Sequence, residues 1–184
     1  MSAPWLVVID VQHVFADLGS PWGSPMVDAA LPQVHRLVAA FEGRTVATRF
    51  VAPERPRGAW APYYEQFAFA LQPPDAPLYA LLDGVVPPSA PVVTRTTFGK
   101  WDDAPDGLAA VTGGAGTLVV AGVSTDCCVL STVLAAADAG VAVQVVTDAC
   151  AGATPADHER ALAAMDLYAP LVTLTTTDAV LAAA

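Results

Sequence analysis

Basic residues are scarce in this 184-residue sequence, which has eight Lys and Arg against eighteen Asp and Glu and a formal net charge of −10. Nucleic acid binding needs clustered Lys and Arg to contact phosphates, so this balance argues against a nucleic acid partner. Anionic membrane surfaces attract polybasic segments, and the sequence contains none. Hydrophobic residues make up 54% of the chain, which is ample material for one buried core.

Cysteines and long apolar runs are also lacking. Three cysteines, two of them adjacent, cannot form a disulfide framework in a chain of this length, so we expect free thiols and a cytoplasmic protein. The first apolar run has no basic residue before it and ends within a few residues at Asp10, which argues against a signal peptide or membrane span. The length predicts a single domain over residues 1–184. An apolar sequence with so few charges favours a homo-oligomer, as a dimer or tetramer.

Short apolar runs rich in Val alternate with stretches that have a helical pattern. Strands are predicted at residues 5–9, 45–48, 92–94, 117–121, 141–147 and 171–175. Helices are predicted at residues 27–41, 106–111, 126–139 and 155–167, with a short one after residue 177. This alternation predicts an α/β fold with a six-stranded, mostly parallel sheet.

Two helix starts and one long connection stand out. Thr154 before Pro155 predicts an N-cap, and Asp126 is predicted to cap the helix that carries the adjacent cysteines. Residues 52–91 are rich in proline and aromatic residues and are too long for an ordinary connection. We expect this segment to be partly helical and to cover the active-site side of the sheet.

Ligands of parallel α/β sheets bind beyond the carboxyl ends of the strands. The polar residues near the ends of the predicted strands are therefore the first candidates for a site: Asp10, Arg49, Arg95, Ser124 and Asp148. For Asp10 the alternative is a purely structural role, in which the side chain caps the turn that follows the strand.

Cys128 lies in the first turn of a predicted helix, where the positive end of the helix dipole favours a thiolate and lowers the pKa of the thiol. Only one of the adjacent cysteines can face the crevice, and we interpret Cys127 and Cys150 as small buried hydrophobes. Lys100 is the only lysine in the chain, and an ammonium group can have its pKa lowered by burial, whereas a guanidinium cannot. The alternative for Lys100 is a solvated loop residue.

Asp10 with Gln12 and Phe15, followed by the sequence GVSTDCCV at residues 122–129, resembles the isochorismatase-like cysteine hydrolases over about residues 10–148. The family includes nicotinamidases, N-carbamoylsarcosine and ureidoacrylate amidohydrolases, and isochorismatases. The resemblance implies a Rossmann-like three-layer αβα sandwich. It also implies that Cys128, the cysteine before Val, is the nucleophile.

The same resemblance implies the chemistry of the site. Asp10 and Lys100 would be the catalytic partners of Cys128 in cleaving a C–N bond of a small amide or ureido-type substrate through a thioester. A cis peptide is implied between Val123 and Ser124, with the backbone N–H groups of Ser124 and Cys128 as the oxyanion hole.

Three aromatic residues are candidates for the walls of the substrate pocket. They are Phe15, Trp60 and Trp101. Aromatic side chains are as often plain core, so this assignment depends on which of them the fold brings to the crevice.

The chain departs from the family pattern in two places. Arg95 stands where many members have the catalytic lysine, but we favour Lys100 because an always-protonated guanidinium is a poor proton shuttle. Nicotinamidases carry an Asp-x-His pair after the second strand, whereas residues 49–51 here are Arg-Phe-Val, and no histidine lies between His35 and His158. We therefore expect neither a metal site nor a cofactor.

Two other functions stay open at this point. An isochorismatase-type vinyl-ether hydrolase would rely on Asp10 and would not need a cysteine nucleophile. A non-catalytic interaction domain could use the same scaffold, because a fold alone does not prove a function. The presence of both Asp10 and Cys128 favours the amidohydrolase, but the sequence does not specify the substrate.

Overall fold

One parallel sheet organises the chain, and the structure, a computed structural model, describes residues 3–183 of it. The strands are β1 (Trp5–Ile9), β2 (Thr45–Phe50), β3 (Val92–Arg95), β4 (Thr117–Val123), β5 (Ala142–Ala151) and β6 (Val172–Thr175). Their order is β3-β2-β1-β4-β5-β6, and every neighbouring pair is parallel. This order is that of a Rossmann-like sheet and confirms the predicted fold class.

Helices follow the strands closely. They are α1 (His13–Ala16), α2 (Val27–Ala40), α3 (Trp60–Gln66), α4 (Leu108–Val111), α5 (Leu130–Asp138), α6 (Pro155–Asp166) and α7 (Thr177–Ala182). A single π-helical turn, Thr125–Val129, leads directly into α5. The predicted helix at residues 126–139 therefore begins with a wider turn than an α-helix has.

Each face of the sheet is buried under helices. Along β1, Leu6 and Val8 belong to one buried apolar cluster, which includes Leu37 of α2. Val7 belongs to a second cluster on the opposite face, which includes Val133 of α5. Because successive side chains of a strand point to opposite faces, a strand covered on both sides must be apolar at almost every position. The result is the three-layer αβα sandwich.

One of the two predicted helix caps is correct. The Thr154 hydroxyl accepts a hydrogen bond from the backbone N–H of Asp157 at 3.1 Å, with Pro155 in the first helical turn. The cap predicted at Asp126 is wrong, because the helical turn already begins at Thr125. The Asp126 carboxylate instead accepts a hydrogen bond at 2.8 Å from the backbone N–H of Ala153, just beyond β5.

The long connection between β2 and β3 is partly helical, as predicted. It contains α3 and two short 3₁₀ turns, Ala68–Ala70 and Pro77–Tyr79. Gln12, just after β1, pairs with Leu81 in an isolated antiparallel bridge. Its side-chain amide also donates to the carbonyl of Tyr79 at 2.7 Å. These bonds hold the connection against the carboxyl end of β1.

No helix within residues 3–183 is long and apolar enough to cross a membrane. Leu167, Tyr168 and Leu171 are large apolar side chains that remain exposed beyond the end of α6. The homo-oligomer stays a prediction.

The approach of β4 to β1 generates a test of stability. Gly122 has a φ of +127°, and a Cβ built there would lie 2.1 Å from the carbonyl oxygen of Ile9. We expect Gly122→Ala to lower the free energy of unfolding by about 2–5 kcal/mol, the combined cost of an unfavourable φ and of overpacking. Gly43→Ala is the matched control, since Gly43 has a φ of +75° in open space and should lose only about 1 kcal/mol. Equal losses in urea denaturation would contradict the close approach.

Candidate active site

The crevice lies where the strand order reverses. β1 lies between β2 and β4 in the sheet. After β1 the chain continues to β2 on one side, and after β4 it continues to β5 on the other side. Asp10 follows β1, and Ser124 follows β4 with the π-helical turn that carries Cys128 behind it. Asp10, Lys100 and Cys128 come together at this point, and all three side chains are buried.

Asp10 adopts an unusual backbone conformation. Its φ of 49° lies in the left-handed region, which is uncommon for a residue other than glycine and persists where the surroundings hold it. Its backbone N–H donates to Thr48 Oγ1 at 3.2 Å, and the Thr48 hydroxyl donates to Asp10 Oδ1 at 2.6 Å. Thr48 of β2 thus fixes both the backbone and one carboxylate oxygen of Asp10.

Lys100 forms a fully buried ion pair with Asp10. Its Nζ lies 2.9 Å from Asp10 Oδ2, and both side chains are 0% exposed. Nζ also donates to the carbonyl of Thr97 at 2.5 Å and lies 5.3 Å from the centre of the Phe50 ring. The Lys100 backbone N–H donates to Thr132 Oγ1 of α5 at 3.0 Å. The alternative of a solvated loop residue is therefore wrong.

Arg95 is engaged elsewhere. Its guanidinium pairs with Asp102 at 2.5 Å and with Asp106 at 3.0 Å. The hydrogen bond to Asp102 is the main cause that raises the pKa of Arg95 above its ordinary value. Between the two candidate cations, the structure places Lys100 and not Arg95 beside Asp10.

Two other strand-end residues also have structural partners outside the crevice. Arg49 Nε donates to Thr94 Oγ1 on β3 at 3.2 Å. Asp148 lies inside β5, which is longer than predicted, and its Oδ1 accepts from the backbone N–H of Thr177 at 2.8 Å. Asp148 thereby fixes the start of α7.

Cys128 is buried, at 2% exposure, and the charges of Asp10 and Lys100 both act on its thiol. Burial is the main cause that raises the pKa of this thiol well above its usual value; Asp10 adds to the shift and Lys100 opposes it. The expectation of a lowered pKa is thus wrong, because burial and the neighbouring carboxylate outweigh the helix start. Burial thus favours the neutral thiol over the thiolate at Cys128.

The other two cysteines differ from each other. Cys150 is buried, burial raises the pKa of its thiol to about 12, and it behaves as the predicted small hydrophobe. Cys127 is half-buried and lines a cavity that Cys128 also lines. Its Sγ lies 3.6 Å from Asp126 Oδ2. Burial, followed by the charge of Asp126, raises the pKa of Cys127 to about 11. Cys127 packs against the second apolar cluster but is only half-buried, so the interpretation of it as a small buried hydrophobe is wrong.

The backbone at Ser124 presents a donor beside the thiol. The peptide bond between Val123 and Ser124 is cis, and the Ser124 carbonyl accepts from the N–H groups of Cys127 and Val129, each at 3.1 Å. Within residues 3–183, the Ser124 N–H donates to no other group. This N–H is available to a ligand at the cavity.

A cavity of about 320 Å³ opens above the thiol. Its floor is formed by Ser124, Asp126, Cys127 and Cys128, and its walls are mostly aromatic: Phe15, Trp22, Phe50, Trp60, Tyr63, Phe67 and Phe98. Of the three predicted wall residues, Phe15 and Trp60 line the cavity. Trp101 does not, because it packs against the second apolar cluster near α5.

Sequence reasoning missed several residues that shape the site. Trp22 contacts the rings of Phe15 and Phe50, with centroids 6.0 and 5.9 Å away. Its signal in the sequence was an aromatic residue between Pro21 and Gly23, in a segment with no helical or strand pattern. Thr48 was visible as a hydroxyl near the end of a neighbouring apolar strand.

A metal site does not fit the residues at the end of β2, where the predicted strand had already ended. The cationic Arg49 cannot ligate a cation, and Phe50 packs among the aromatic walls. Within the described residues 3–183, no group of three or more His, Cys, Asp or Glu side chains is arranged to hold a metal ion.

Comparison with protein families gives one match over nearly the whole chain. The family model described as the isochorismatase domain matches residues 4–179. No curated protein sequence matches the chain.

Solved structures with the same fold include three named hydrolases. A cysteine hydrolase from Pseudomonas syringae pv. phaseolicola has a TM-score of 0.84 at 17% identity, over 97% of this chain and 91% of that one. Pyrazinamidase of Pyrococcus horikoshii, solved in complex with zinc, has a TM-score of 0.76 at 24% identity, over 95% and 99%. N-carbamoylsarcosine amidase from Thermoplasma acidophilum has a TM-score of 0.76 at 17% identity, over 96% and 98%. At these identities the likeness shows the fold.

The buried ion pair generates a second test of stability. Lys100→Ala leaves the Asp10 carboxylate buried without its cation, so we expect a loss of about 3–5 kcal/mol in the free energy of unfolding. The exposed ion pair between Arg36 and Asp178 is the control, and Arg36→Ala should lose less than about 1 kcal/mol. Neutralising both partners, as Asp10→Asn with Lys100→Met, should recover most of the loss in urea denaturation. A Lys100→Ala protein as stable as Arg36→Ala would show that the pair is not buried as described.

Proposed function

This chain belongs to the isochorismatase family of hydrolases, and on that premise we propose that it cleaves a C–N amide-type bond of a small molecule with Cys128 as nucleophile. The observation that carries the proposal is the position of the buried Cys128 at the floor of an aromatic-walled cavity, where the charges of the buried Asp10–Lys100 ion pair act on its thiol. A nucleophile, a base within reach of its proton and a third group that holds the base are the parts that covalent acyl transfer requires.

The first half of the reaction forms a thioester. Asp10 accepts the proton of the Cys128 thiol as the sulfur attacks the carbonyl carbon of the amide. The negative charge that develops on the carbonyl oxygen is stabilised by the N–H of Ser124 and by that of Cys128 at the helix start. When the C–N bond breaks, the leaving nitrogen takes the proton from Asp10 and departs as ammonia or an amine.

The second half restores the enzyme. Asp10 accepts a proton from a water molecule that attacks the thioester carbonyl, and the C–S bond breaks to release the acid. The proton then returns from Asp10 to the sulfur. Lys100, with its Nζ 2.9 Å from Asp10 Oδ2, holds the carboxylate in position to act as the base.

Neither alternative has an observation of its own in its favour. Isochorismate is a dicarboxylate, and no Lys, Arg or His lines the cavity among residues 3–183. A non-catalytic domain has no use for a buried ion pair held against a thiol, since replacing such a pair by apolar residues is often neutral or stabilising.

Replacement of the nucleophile tests the proposal directly. With an active amide found by screening small amides, ureido acids, lactams and nicotinamide for ammonia release, Cys128→Ala should lower kcat by at least about 10⁴-fold and leave the fold intact. Cys127→Ala, on the adjacent cavity residue, is the matched control and should keep most of the activity. Mass spectrometry of the wild type during turnover should detect the acyl group on Cys128. Reversed effects of the two variants would place the nucleophile at Cys127.

Separate substitutions of Lys100 and Arg95 test which of the two is the cation that acts with Asp10. Lys100→Arg should be nearly as damaging to kcat as Lys100→Ala, because a guanidinium is too large and too rigid for the buried space beside Asp10. Arg95→Lys should retain most of the activity, since the new ammonium still pairs with Asp102 and Asp106. An active Lys100→Ala enzyme with an unchanged pH profile would exclude Lys100 from the mechanism.

A further inference from the structure

Asp126 is the one carboxylate among the described residues that line the cavity, and it lies two residues before the proposed nucleophile. We propose that Asp126 determines specificity by excluding substrates that carry a negative charge, so that the substrate is an uncharged or cationic amide with an apolar, flat body. This inference rests on the proposed amide hydrolysis and narrows it to a class of substrates.

The orientation of the Asp126 side chain is fixed through one oxygen. Oδ1 accepts hydrogen bonds from the Ser124 hydroxyl at 2.5 Å and from the backbone N–H of Ala153 at 2.8 Å. Among the described residues, the one hydrogen-bond donor to Oδ2 is the Cys127 thiol, at 3.6 Å, and a thiol is a weak donor. One carboxylate oxygen is therefore locked, and the other keeps its capacity to accept a hydrogen bond or to contact a cation at the cavity.

Among residues 3–183, no cation lines the cavity to neutralise an anionic substrate. Lys100 is fully committed to Asp10 and to the Thr97 carbonyl beneath the cavity. His158 bonds through Nδ1 to Thr125 Oγ1, and burial lowers the pKa of its ring. Its charged form is therefore disfavoured at neutral pH.

The charges just outside the cavity add to this effect. Asp157 on α6 is near enough to contribute to the raised pKa of Cys127. Its partner Arg160 on the same helix is the more exposed of the two, at 72% against 32%, so solvent screens the cation more than the carboxylate. The charged side chains that act on Cys127 are both carboxylates, those of Asp126 and Asp157.

The walls fix the rest of the substrate class. Trp22, Trp60 and Phe98 present ring surfaces with hardly any polar groups, which favours a flat apolar body. A carboxylate on such a substrate would lose water without gaining a cationic partner, and it would lie near Asp126, so both effects oppose binding. A cationic group would instead be attracted by the ring faces and by the free Asp126 oxygen.

Three benzamides with one substituent at the 3-position test the inference. 3-Nitrobenzamide is neutral and close in shape to the anion 3-carbamoylbenzoate, and 3-(aminomethyl)benzamide carries a positive charge. At low ionic strength we expect kcat/KM for the anion to be at least about tenfold below that for the nitro compound, because like charges in an interface are strongly disfavoured. The cation should be accepted at least as well as the nitro compound. An anion hydrolysed as well as its neutral isostere would overturn the inference and leave the proposed amide hydrolysis intact.

The role of Asp126 itself is tested by Asp126→Asn. The amide oxygen can still accept from Ala153 and Ser124, so this change removes the charge and keeps the fixed geometry. We expect the ratio of kcat/KM between the nitro compound and the anion to fall several-fold towards unity. Asp166→Asn, which changes the net charge equally at the far end of α6, about 13 Å along the helix from Asp157, should leave the ratio unchanged. A ratio that is the same in Asp126→Asn and wild type would exclude Asp126 as its cause.

A binding measurement keeps this test independent of turnover. In Cys128→Ala, quenching of the fluorescence of Trp22 and Trp60 reports occupation of the cavity by each benzamide. The same order of affinity is expected, with the anion weakest, and added salt should narrow the difference. If no amide is hydrolysed by wild type and yet the order holds, the proposed function fails while the charge selection stands. If the anion binds as tightly as the nitro compound, the charge selection fails whatever the catalytic result.

Discussion

The site depends on one buried ion pair, between Asp10 and Lys100. Desolvation of a carboxylate and an ammonium costs several kcal/mol each, and their attraction offsets this cost only when the geometry is good and the remaining polar atoms are satisfied. Here the charges lie 2.9 Å apart without exposure to solvent, while Thr48 donates to the other oxygen of Asp10 and Thr97 accepts from Lys100. Contacts from separate segments of the chain therefore fix the position of the Asp10 carboxylate.

The order of the strands brings those segments together. β1 carries Asp10 between β2, which supplies Thr48, and β4, which leads to Cys128. Lys100 belongs to the connection after β3, at the edge of the sheet. It is held near the centre of the sheet because the Thr132 hydroxyl of α5 accepts a hydrogen bond from its backbone N–H. Thr132 also donates to the carbonyl of Cys128 at 2.7 Å. One hydroxyl thus links the loop that carries Lys100 to the turn that carries Cys128.

The fold and part of the site could be predicted from the sequence because they depend on local patterns. Continuous apolar runs identified all six strands, and the position at a strand end drew attention to Asp10. The assignment of Lys100 needed the resemblance to a family in addition to its being the only lysine. The aromatic walls could not be predicted in full, since loops have no period that tells which side chain turns towards the cavity. Trp101 and Phe98 are three residues apart on one loop, and only Phe98 lines the cavity.

The direction in which the pKa of the Cys128 thiol shifts could not be predicted from its position at a helix start. The cause of the shift is burial, and burial connects the proposed mechanism with the proposed specificity. A helix start favours a thiolate, but the aromatic walls that exclude water from Cys128 disfavour any charge on its sulfur. In the proposed mechanism the proton leaves the thiol as the substrate carbonyl is attacked, so a base beside the sulfur becomes necessary. The same apolar walls lower the local dielectric constant and so strengthen the electrostatic effect of charges at the cavity. The apolar surroundings that make Asp10 necessary as a base in the proposed mechanism therefore also make the charge of Asp126 important for the proposed choice of substrate.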